Sequence, residues 1–178
     1  MQIPLRYFDD PILRKKGAPI TKITPEIIQL TQDMIDTMHA KNGMGLAAPQ
    51  VNQSLALFVT QVPIKVSEDP EDHEWEAGEI RIYINPKILA YTEEKWVREE
   101  GCLSIPGVYG DVERPVGIKI RATDIRGNTF EEDLMWLHAR VFMHENDHIN
   151  GILYIDRIRG QERRRLDKAL ENFKKKQK

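Results

Sequence analysis

A pentapeptide with the spacing of metal ligands is the most constraining feature of this sequence. The residues HENDH at 144–148 place His144 and His148 four positions apart. Residues with this spacing lie one turn apart on the same helical face, so both imidazoles can bind one ion while Glu145 lies beside it as a proton acceptor. We expect a helix from about residue 134 to residue 150, and the pattern is typical of metal-dependent hydrolases.

The two histidines also admit a simpler interpretation as packed core residues. Leu137 and Val141 precede them at steps of four, three and four, which puts both histidines on the apolar stripe of the predicted helix. Burying histidines without hydrogen-bond partners is unfavourable. The spacing therefore favours metal ligands over core histidines.

The length of the chain favours a single domain. Its 178 residues, 40% hydrophobic and 30% charged, suffice for one globular unit with a buried core. No apolar run reaches the roughly 20 residues that span a membrane, and the N-terminal residues lack the apolar stretch of a secretory signal. The single cysteine excludes an internal disulfide, as is usual in a reducing compartment. We expect no membrane partner and a location in a bacterial cytoplasm, with an organelle interior as the alternative.

The C-terminal residues are strongly basic. Residues 157–178 contain ten Lys and Arg against three Asp and Glu, a net charge of +7 in a chain whose total is −2. Leu166, Leu170 and Phe173 recur at helical spacing among these charges. We expect a basic helical tail from about residue 157, which is either simply solvated or contacts an anionic partner such as the ribosome.

One helix and several strands are expected before the HENDH segment. Residues 24–41 have a proline at the first helical position and apolar residues on one face, which predicts an amphipathic helix. Strands are expected at residues 55–62, 80–85 and 118–122. Pro86 should stop the second strand, a turn at 124–128 should join the third to a partner, and the acidic residues 68–79 should form a loop. Strands collected before a late helix indicate an α+β fold with a largely antiparallel sheet.

A catalytic zinc-type site takes three protein ligands, so a third one must be found. In the extended metalloprotease pattern HExxHxxGxxH, Gly151 is correctly placed, but Tyr154 stands where the third histidine should be. Tyr154 is therefore expected to be a packed side chain. Downstream, Glu162 and Glu171 both lie in the basic tail without a supporting motif.

The single cysteine is the remaining candidate. Cys102 lies in the segment EGCLS at residues 100–104, just before the turn-forming Ile-Pro-Gly. A thiolate is a strong ligand for borderline metal ions, whereas most free cysteines are small buried hydrophobic residues. The flanking glycines and proline favour a shaped loop over a core strand here. Cys102 is thus either the third ligand or a buried core residue.

Three segments together resemble the peptide deformylase family. They are GMGLAAPQ at residues 43–50, EGCLS at 100–104 and HENDH at 144–148, and they match the family in type, order and approximate spacing. The resemblance extends over residues 11–156 and does not reach the basic tail. It implies that Cys102, His144 and His148 bind the metal. It also implies an α+β fold, with the metal-binding helix packed among antiparallel sheets in one catalytic domain over residues 1–178.

Peptide deformylases remove the formyl group from the N-formylmethionine of newly made polypeptides and release formate. The resemblance implies that Glu145 transfers the proton of the attacking water. It also implies that the Gln50 side-chain amide and the Leu103 backbone N–H stabilise the oxyanion. The metal of the family is commonly Fe²⁺, with Zn²⁺, Ni²⁺ or Co²⁺ able to occupy the site. Nascent formylmethionyl peptides are the implied partners.

Gly43, Met44 and Gly45 are the expected substrate-binding residues. Glycines let a peptide backbone approach closely, and Met44, with Leu137 and Val141, could line an apolar pocket for the methionine side chain. The alternatives are that the glycines only end the preceding helix and that the apolar residues pack in the core.

One position departs from the family pattern. Many members carry an arginine shortly after the cysteine segment, where this chain has Tyr109, with Arg114 further on. A substrate contact by that arginine is therefore not carried over. Arg98 and Val141 leave the fine specificity open.

Two other functions fit parts of the sequence. A metallopeptidase would use the same helix to cleave internal amide bonds, and it would not need Cys102. A ribosome- or RNA-binding module with a structural metal would use the basic tail and bind in a salt-dependent way. That module would leave Glu145 and Gln50 without a role.

Overall fold

A computed structural model describes residues 1–65 and 75–176 of the chain. Within them, the helices are α1 (Pro25–Ala40), α2 (Trp136–Ile149) and α3 (Gly160–Lys176). The strands are β1 (Gly45–Ala47), β2 (Leu57–Gln61), β3 (Ile64–Lys65), β4 (Trp75–Glu76), β5 (Ile80–Tyr91), β6 (Lys95–Cys102), β7 (Ile105–Pro115), β8 (Gly117–Thr123) and β9 (Thr129–Met135). Short 3₁₀ helices lie at Pro11–Arg14, Ala48–Val51 and Tyr154–Arg157.

A five-stranded sheet forms the framework. Its order is β1-β2-β5-β8-β9, so β1 and β9 are its edges, and all neighbours are antiparallel. Strands β6 and β7 form a separate long hairpin, and β3 and β4 form a short one. Helices packed with antiparallel sheets in one domain confirm the predicted α+β fold.

Helix α2 packs on the five-stranded sheet through aromatic side chains. The Phe142 ring makes edge-to-face contacts with Phe58 and Tyr83, each with centroids 5.0 Å apart. Such pairs contribute about 0.5–1.5 kcal/mol each beyond the burial of their area. They fix the rotation of α2, so His144, two positions later and thus on the other side of the helix, faces the β6–β7 hairpin.

Helix α1 occupies the predicted segment. It begins with Pro25, which suits the first helical position, and it buries Met34 and Met38 in the core. Asn42, with a φ of 53°, adopts the left-handed conformation just after the helix. The end of α1 therefore depends on Asn42 and not on the glycine that follows.

Two predicted boundaries are wrong. Strand β5 does not stop at Pro86 but continues to Tyr91, because a register shift beside Pro86 creates a bulge where its missing N–H is tolerated. Helix α2 begins at Trp136, later than expected, because the chain up to Met135 pairs with β8. The turn after β8 leads into β9 as predicted.

The β6–β7 hairpin replaces the loop expected around the cysteine. Half of the residues of β6 are exposed, and within it only Glu100 is buried, so the strand lacks the apolar alternation by which strands are recognised. An acidic loop was predicted over residues 68–79. Its residues 68–74 lie outside the described residues, and Trp75–Glu76 forms the short strand β4.

The basic tail is helical, as predicted, and it is packed onto the domain. Leu166 and Leu170 of α3 are buried in one cluster with Val108 and Val112 of β7. The apolar stripe of α3 thus faces the hairpin, and its charged residues face outward. None of the described helices is long and apolar enough to cross a membrane.

Candidate metal and peptide site

Three side chains that can bind a metal converge between α2 and the β6–β7 hairpin. Cys102 Sγ lies 3.2 Å from His148 Nε2, and the rings of His144 and His148 have centroids 5.1 Å apart. One ligand atom from each of the three residues lies within 4.8 Å of the other two. This thiol and these two imidazoles could together hold one metal ion.

The tight turn of the β6–β7 hairpin positions the Cys102 thiol. Cys102 is the last residue of β6 and pairs with Ile105 of β7, so only Leu103 and Ser104 form the turn. The Ser104 N–H donates to Cys102 Sγ over 3.4 Å. Leu103 lies in this turn, so its backbone groups do not pair between β6 and β7. They lie directly next to the residue that carries the thiol.

Glu100 orients one imidazole. Its Oε2 lies 3.0 Å from His144 Nδ1, so a proton on Nδ1 leaves the Nε2 lone pair for a metal. Burial raises the pKa of the Glu100 carboxyl, but hydrogen bonds from Arg114 and His144 outweigh it and hold that pKa well below its usual range. Glu100 is therefore a carboxylate.

A buried ionic cluster surrounds Glu100. Arg114 donates to Glu100 from Nε over 2.6 Å and from Nη2 over 2.8 Å, and Arg140 donates over 2.6 Å. Arg114 also donates to Asp147 over 2.9 Å, and Arg157 donates to the same carboxylate over 2.6 Å. The sequence gives no role to these residues, although Glu100 and Asp147 belong to the two motif segments that carry the ligands.

The Gln50 amide faces the thiol. Its Oε1 accepts the Ala47 N–H over 2.8 Å, which leaves Nε2 to donate to Ser104 Oγ over 3.1 Å and to approach Cys102 Sγ at 3.6 Å. The side chain is only 1% exposed. A buried N–H donor therefore points toward the candidate metal position.

Glu145 lines one cleft together with Gln50, Cys102 and His144. It is 4% exposed, and its Oε2 has no hydrogen-bond partner among the described residues. Burial raises the pKa of this carboxyl to about 7. A carboxyl with a pKa near neutrality can both accept and donate a proton under cellular conditions.

The two glycines of the first motif make room for the protein's own side chains. A Cβ at Gly45 would overlap the Glu145 carboxyl group, and one at Gly43 would lie 2.8 Å from a terminal methyl of Leu103. Neither glycine has a positive φ. Gly45 is thus required because Glu145 packs against its backbone, which is a different reason from the one expected from the sequence.

A cleft of about 930 Å³ opens beside these groups. Its walls include Met44, Leu137 and Val141, together with His144 and Glu145. Met44 is 42% exposed and Val141 7% exposed. The three apolar residues proposed as pocket walls therefore line one cavity with the candidate catalytic groups.

Tyr154 is a packed side chain, as expected. Its hydroxyl donates to the Val108 carbonyl over 2.8 Å, and its ring stacks on His144 with a centroid distance of 6.1 Å. Burial raises its pKa well above the usual value. Tyr154 thus supports a candidate ligand from behind.

Tyr109 and Arg114 occupy different surroundings. Tyr109 is exposed, lines the cleft and covers Gly101, whereas Arg114 is 2% exposed inside the ionic cluster. Arg114 is therefore buried away from the cleft that Tyr109 lines.

A family model for polypeptide deformylase matches residues 3–164 of the chain. The chain belongs to this family. It is therefore a hydrolase that removes the N-formyl group from newly made polypeptides, which decides against the metallopeptidase and against a module without enzymatic activity. The match extends beyond residues 11–156 into the beginning of α3.

Curated relatives and solved structures agree with the deformylase assignment. A peptide deformylase of Thermotoga neapolitana is 40% identical over 96% of both chains, and one of Bradyrhizobium diazoefficiens is 43% identical over 93% of this chain and 91% of its own. The structure of a plant peptide deformylase superposes with a TM-score of 0.86 at 36% identity, covering 98% of this chain and 90% of that one. The enzyme of Ehrlichia chaffeensis gives a TM-score of 0.86 at 33% identity, covering 100% and 98%.

Proposed function

We propose that Cys102, His144 and His148 hold one divalent metal ion at which a formyl group is hydrolysed. The residues present fit such an ion, because one thiol and two imidazoles converge within 4.8 Å and Glu100 orients the His144 ring. This convergence is the observation that carries the proposal. One sulfur and two nitrogens suit Fe²⁺, Zn²⁺, Ni²⁺ and Co²⁺ alike, and Fe²⁺ is the ion we propose from the resemblance to the family.

Glu145 acts as the proton shuttle. A bound divalent ion supplies a Lewis acid that lowers the pKa of water toward neutrality. Glu145 lies beside the candidate ligands, is buried, and has an oxygen without a partner among the described residues. Its carboxylate accepts the proton of the attacking water and then delivers it to the amine that leaves when the formyl C–N bond breaks.

Gln50 and Leu103 stabilise the oxyanion. Attack on the formyl carbon moves negative charge onto the formyl oxygen, and fixed N–H donors stabilise that charge. Gln50 Nε2 is held toward Cys102 by the bond that its Oε1 accepts from Ala47. The Leu103 N–H lies in the turn directly after Cys102.

The substrate is an N-formylmethionyl peptide bound along the edge strand β1. Gly43, Met44 and Gly45 line the cleft, and β1 is an edge of the five-stranded sheet, so an extended peptide can add to it as a further strand. The methionine side chain then enters the apolar part of the cleft between Met44, Leu137 and Val141.

The location of the enzyme follows from this substrate. Formylated nascent peptides are made in the bacterial cytoplasm, and we propose that the protein works there, or in an organelle with the same chemistry. The outward charges of α3 offer a contact with ribosomal RNA, while its apolar stripe remains packed on β7.

Formate release tests the proposal directly. Protein reconstituted with Fe²⁺ without oxygen should release formate from formyl-Met-Ala-Ser and leave the internal peptide bonds intact. Cys102→Ser should lose both iron and activity. Internal cleavage without formate would overturn the proposal, and equal activity of iron-loaded protein before and after exposure to air would count against iron as the working metal.

A further inference from the structure

The strand that ends in Cys102 carries a cation into the same cleft. Trp96, Arg98 and Glu100 alternate along β6 and therefore project to one face of the hairpin. Arg98 is exposed and lines the cleft together with His144 and Glu145. Its neighbour Glu99 also lines the cleft, but by strand alternation its side chain projects to the other face, and its charge acts on Arg165 of α3.

The Arg98 guanidinium is held in place by an aromatic ring. It lies over the Trp96 ring, 5.0 Å from the centroid, and Arg140 lies at the same distance from that ring. The Trp136 ring meets Trp96 edge-on with a centroid distance of 5.7 Å. Such cation–π contacts restrict a long side chain that would otherwise move freely in water.

The backbone at Trp136 supports this arrangement. Trp136 has a φ of 52°, a conformation that is unfavourable for a bulky aromatic residue. Strained residues of this kind persist where the surrounding structure determines them, and they concentrate at functional positions. Here the strained Trp136 places its ring against the Trp96 ring, over which the Arg98 guanidinium lies.

Arg98 forms no ion pair with a carboxylate among the described residues. The ion pairs formed within residues 1–65 and 75–176 engage Arg114 and Arg140 beside it but not Arg98. A pre-oriented cation at the wall of a peptide-binding cleft attracts an acidic side chain and repels a basic one.

The position of Arg98 along β6 sets which substrate residue it can reach. Arg98 precedes Cys102 by four residues, which corresponds to about 13 Å of extended strand. An extended peptide covers the same distance in about four residues. The side chain of Arg98 and the side chain of the substrate residue that it contacts together bridge part of this distance. The second and third residues of the substrate, counted from formylmethionine, are within reach.

We propose that Arg98 is a specificity-determining residue that favours formylated peptides with Asp or Glu at the second or third position. This inference rests on the proposed function, since it concerns the peptide bound in the same cleft. It names the substrate class for which the cleft of this chain is built, beyond the methionine that it must accept.

Matched peptides test the preference. We would measure kcat/KM for formate release from formyl-Met peptides with an amidated C-terminus and Glu, Gln or Lys at position two, three or six. The wild type should prefer Glu over Lys by about fivefold at position two or three at low ionic strength, and by less in high salt. Position six should show no preference.

Two variants of Arg98 separate its effect on substrate preference from the effect of the other charges in the cleft. Arg98→Gln should reduce the ratio between Glu and Lys peptides to below about twofold, and Arg98→Glu should reverse it. Lys41 is the matched control, because it is an exposed cation that lines the same cleft, and Lys41→Gln should keep most of the preference.

The outcomes distinguish this inference from the proposed function. Formate release at equal rates from Glu and Lys peptides would overturn the role of Arg98 while leaving the deformylase activity established. A preference that disappears in Lys41→Gln and persists in Arg98→Gln would also overturn it. Absence of formate from every peptide would overturn the proposed function and the inference together.

Discussion

Glu145 combines three properties that a proton shuttle needs. It is buried, its pKa is raised to about 7 by burial, and its position is fixed by contact with the backbone at Gly45. The same carboxyl in solvent would have a pKa near 4.3 and would hold a proton too weakly to return it to an amine. Burial of the carboxyl and the missing Cβ at Gly45 are therefore the features on which the proposed role of Glu145 depends.

Replacing Glu145 by Gln should stop the chemistry without removing the metal. Gln is isosteric but cannot accept the proton, so we expect kcat to fall by about 10²–10⁴. Metal analysis of the purified variant should still give the wild-type ratio of metal to protein. Loss of the metal together with activity would contradict the assignment of Glu145 as a shuttle.

Gln50→Leu removes a side-chain donor while nearly preserving volume. We expect turnover to fall by about 10²–10³ because one oxyanion donor is lost, with the metal retained. Ser104→Ala is the control, since the Ser104 hydroxyl accepts from Gln50 Nε2 but has no proposed contact with substrate. Near-wild-type turnover of Gln50→Leu would exclude Gln50 as an oxyanion donor.

The two glycines of the first motif should differ in their sensitivity. In Gly45→Ala the new Cβ displaces the Glu145 carboxyl group, so we expect kcat to fall at least about tenfold, whereas in Gly43→Ala it meets the flexible end of Leu103, which can shift. Steady-state kinetics of both variants, with circular dichroism to confirm folding, test this. A larger loss of kcat in Gly43→Ala would contradict the contact with Glu145.

Helix α2 and the β6–β7 hairpin are joined by charges as well as by packing. Asp147 of α2 accepts hydrogen bonds from Arg114 of β7 and from Arg157, and Arg114 in turn binds Glu100. Buried ion pairs contribute little to stability compared with apolar residues, but removing one partner leaves an uncompensated charge. This cluster connects the hairpin that carries Cys102 to the helix that carries the histidines.

Asp147→Asn should destabilise the fold strongly. Arg114 would keep its charge but lose half of its partners, so we expect the free energy of unfolding to fall by about 3–5 kcal/mol. Urea denaturation of the metal-free wild type and variant measures this. The exposed pair of Glu113 with Lys95 provides the control, because Glu113→Gln should change stability by less than about 1 kcal/mol.

The candidate site joins parts of the chain that are far apart in sequence. The first motif lies at the edge of the five-stranded sheet, the cysteine at the end of the hairpin, and the histidines on α2. A ligand that binds only when these elements are assembled stabilises the folded state.

Removal of the metal should therefore lower the thermal stability of the whole domain. At a metal concentration of about 100 times Kd, binding contributes about 2.7 kcal/mol, which corresponds to a Tm shift of about 5–10 °C for a domain of this size. Differential scanning calorimetry with and without a chelator measures the shift. Cys102→Ser should show little response to the chelator, and an equal response in both proteins would contradict the proposed ligand set.

The amino-acid pattern alone was enough to predict the kinds of residue in the candidate site and several of the elements that carry them. The HENDH spacing indicated a helix with two imidazoles on one face, the three motifs together indicated the family, and the apolar stripes indicated α1 and α3, because periodicity is a local property of the chain. The exposed strand β6 gave no such signal.

How these parts meet became visible in the folded chain. It placed Cys102 beside His148, paired Glu100 with Arg114 and His144, packed Glu145 against Gly45, and stacked Arg98 on Trp96. Buried polar pairs and close backbone contacts join residues that are distant in sequence, and they depend on how α2 and the hairpin pack together, which no local pattern of residues specifies.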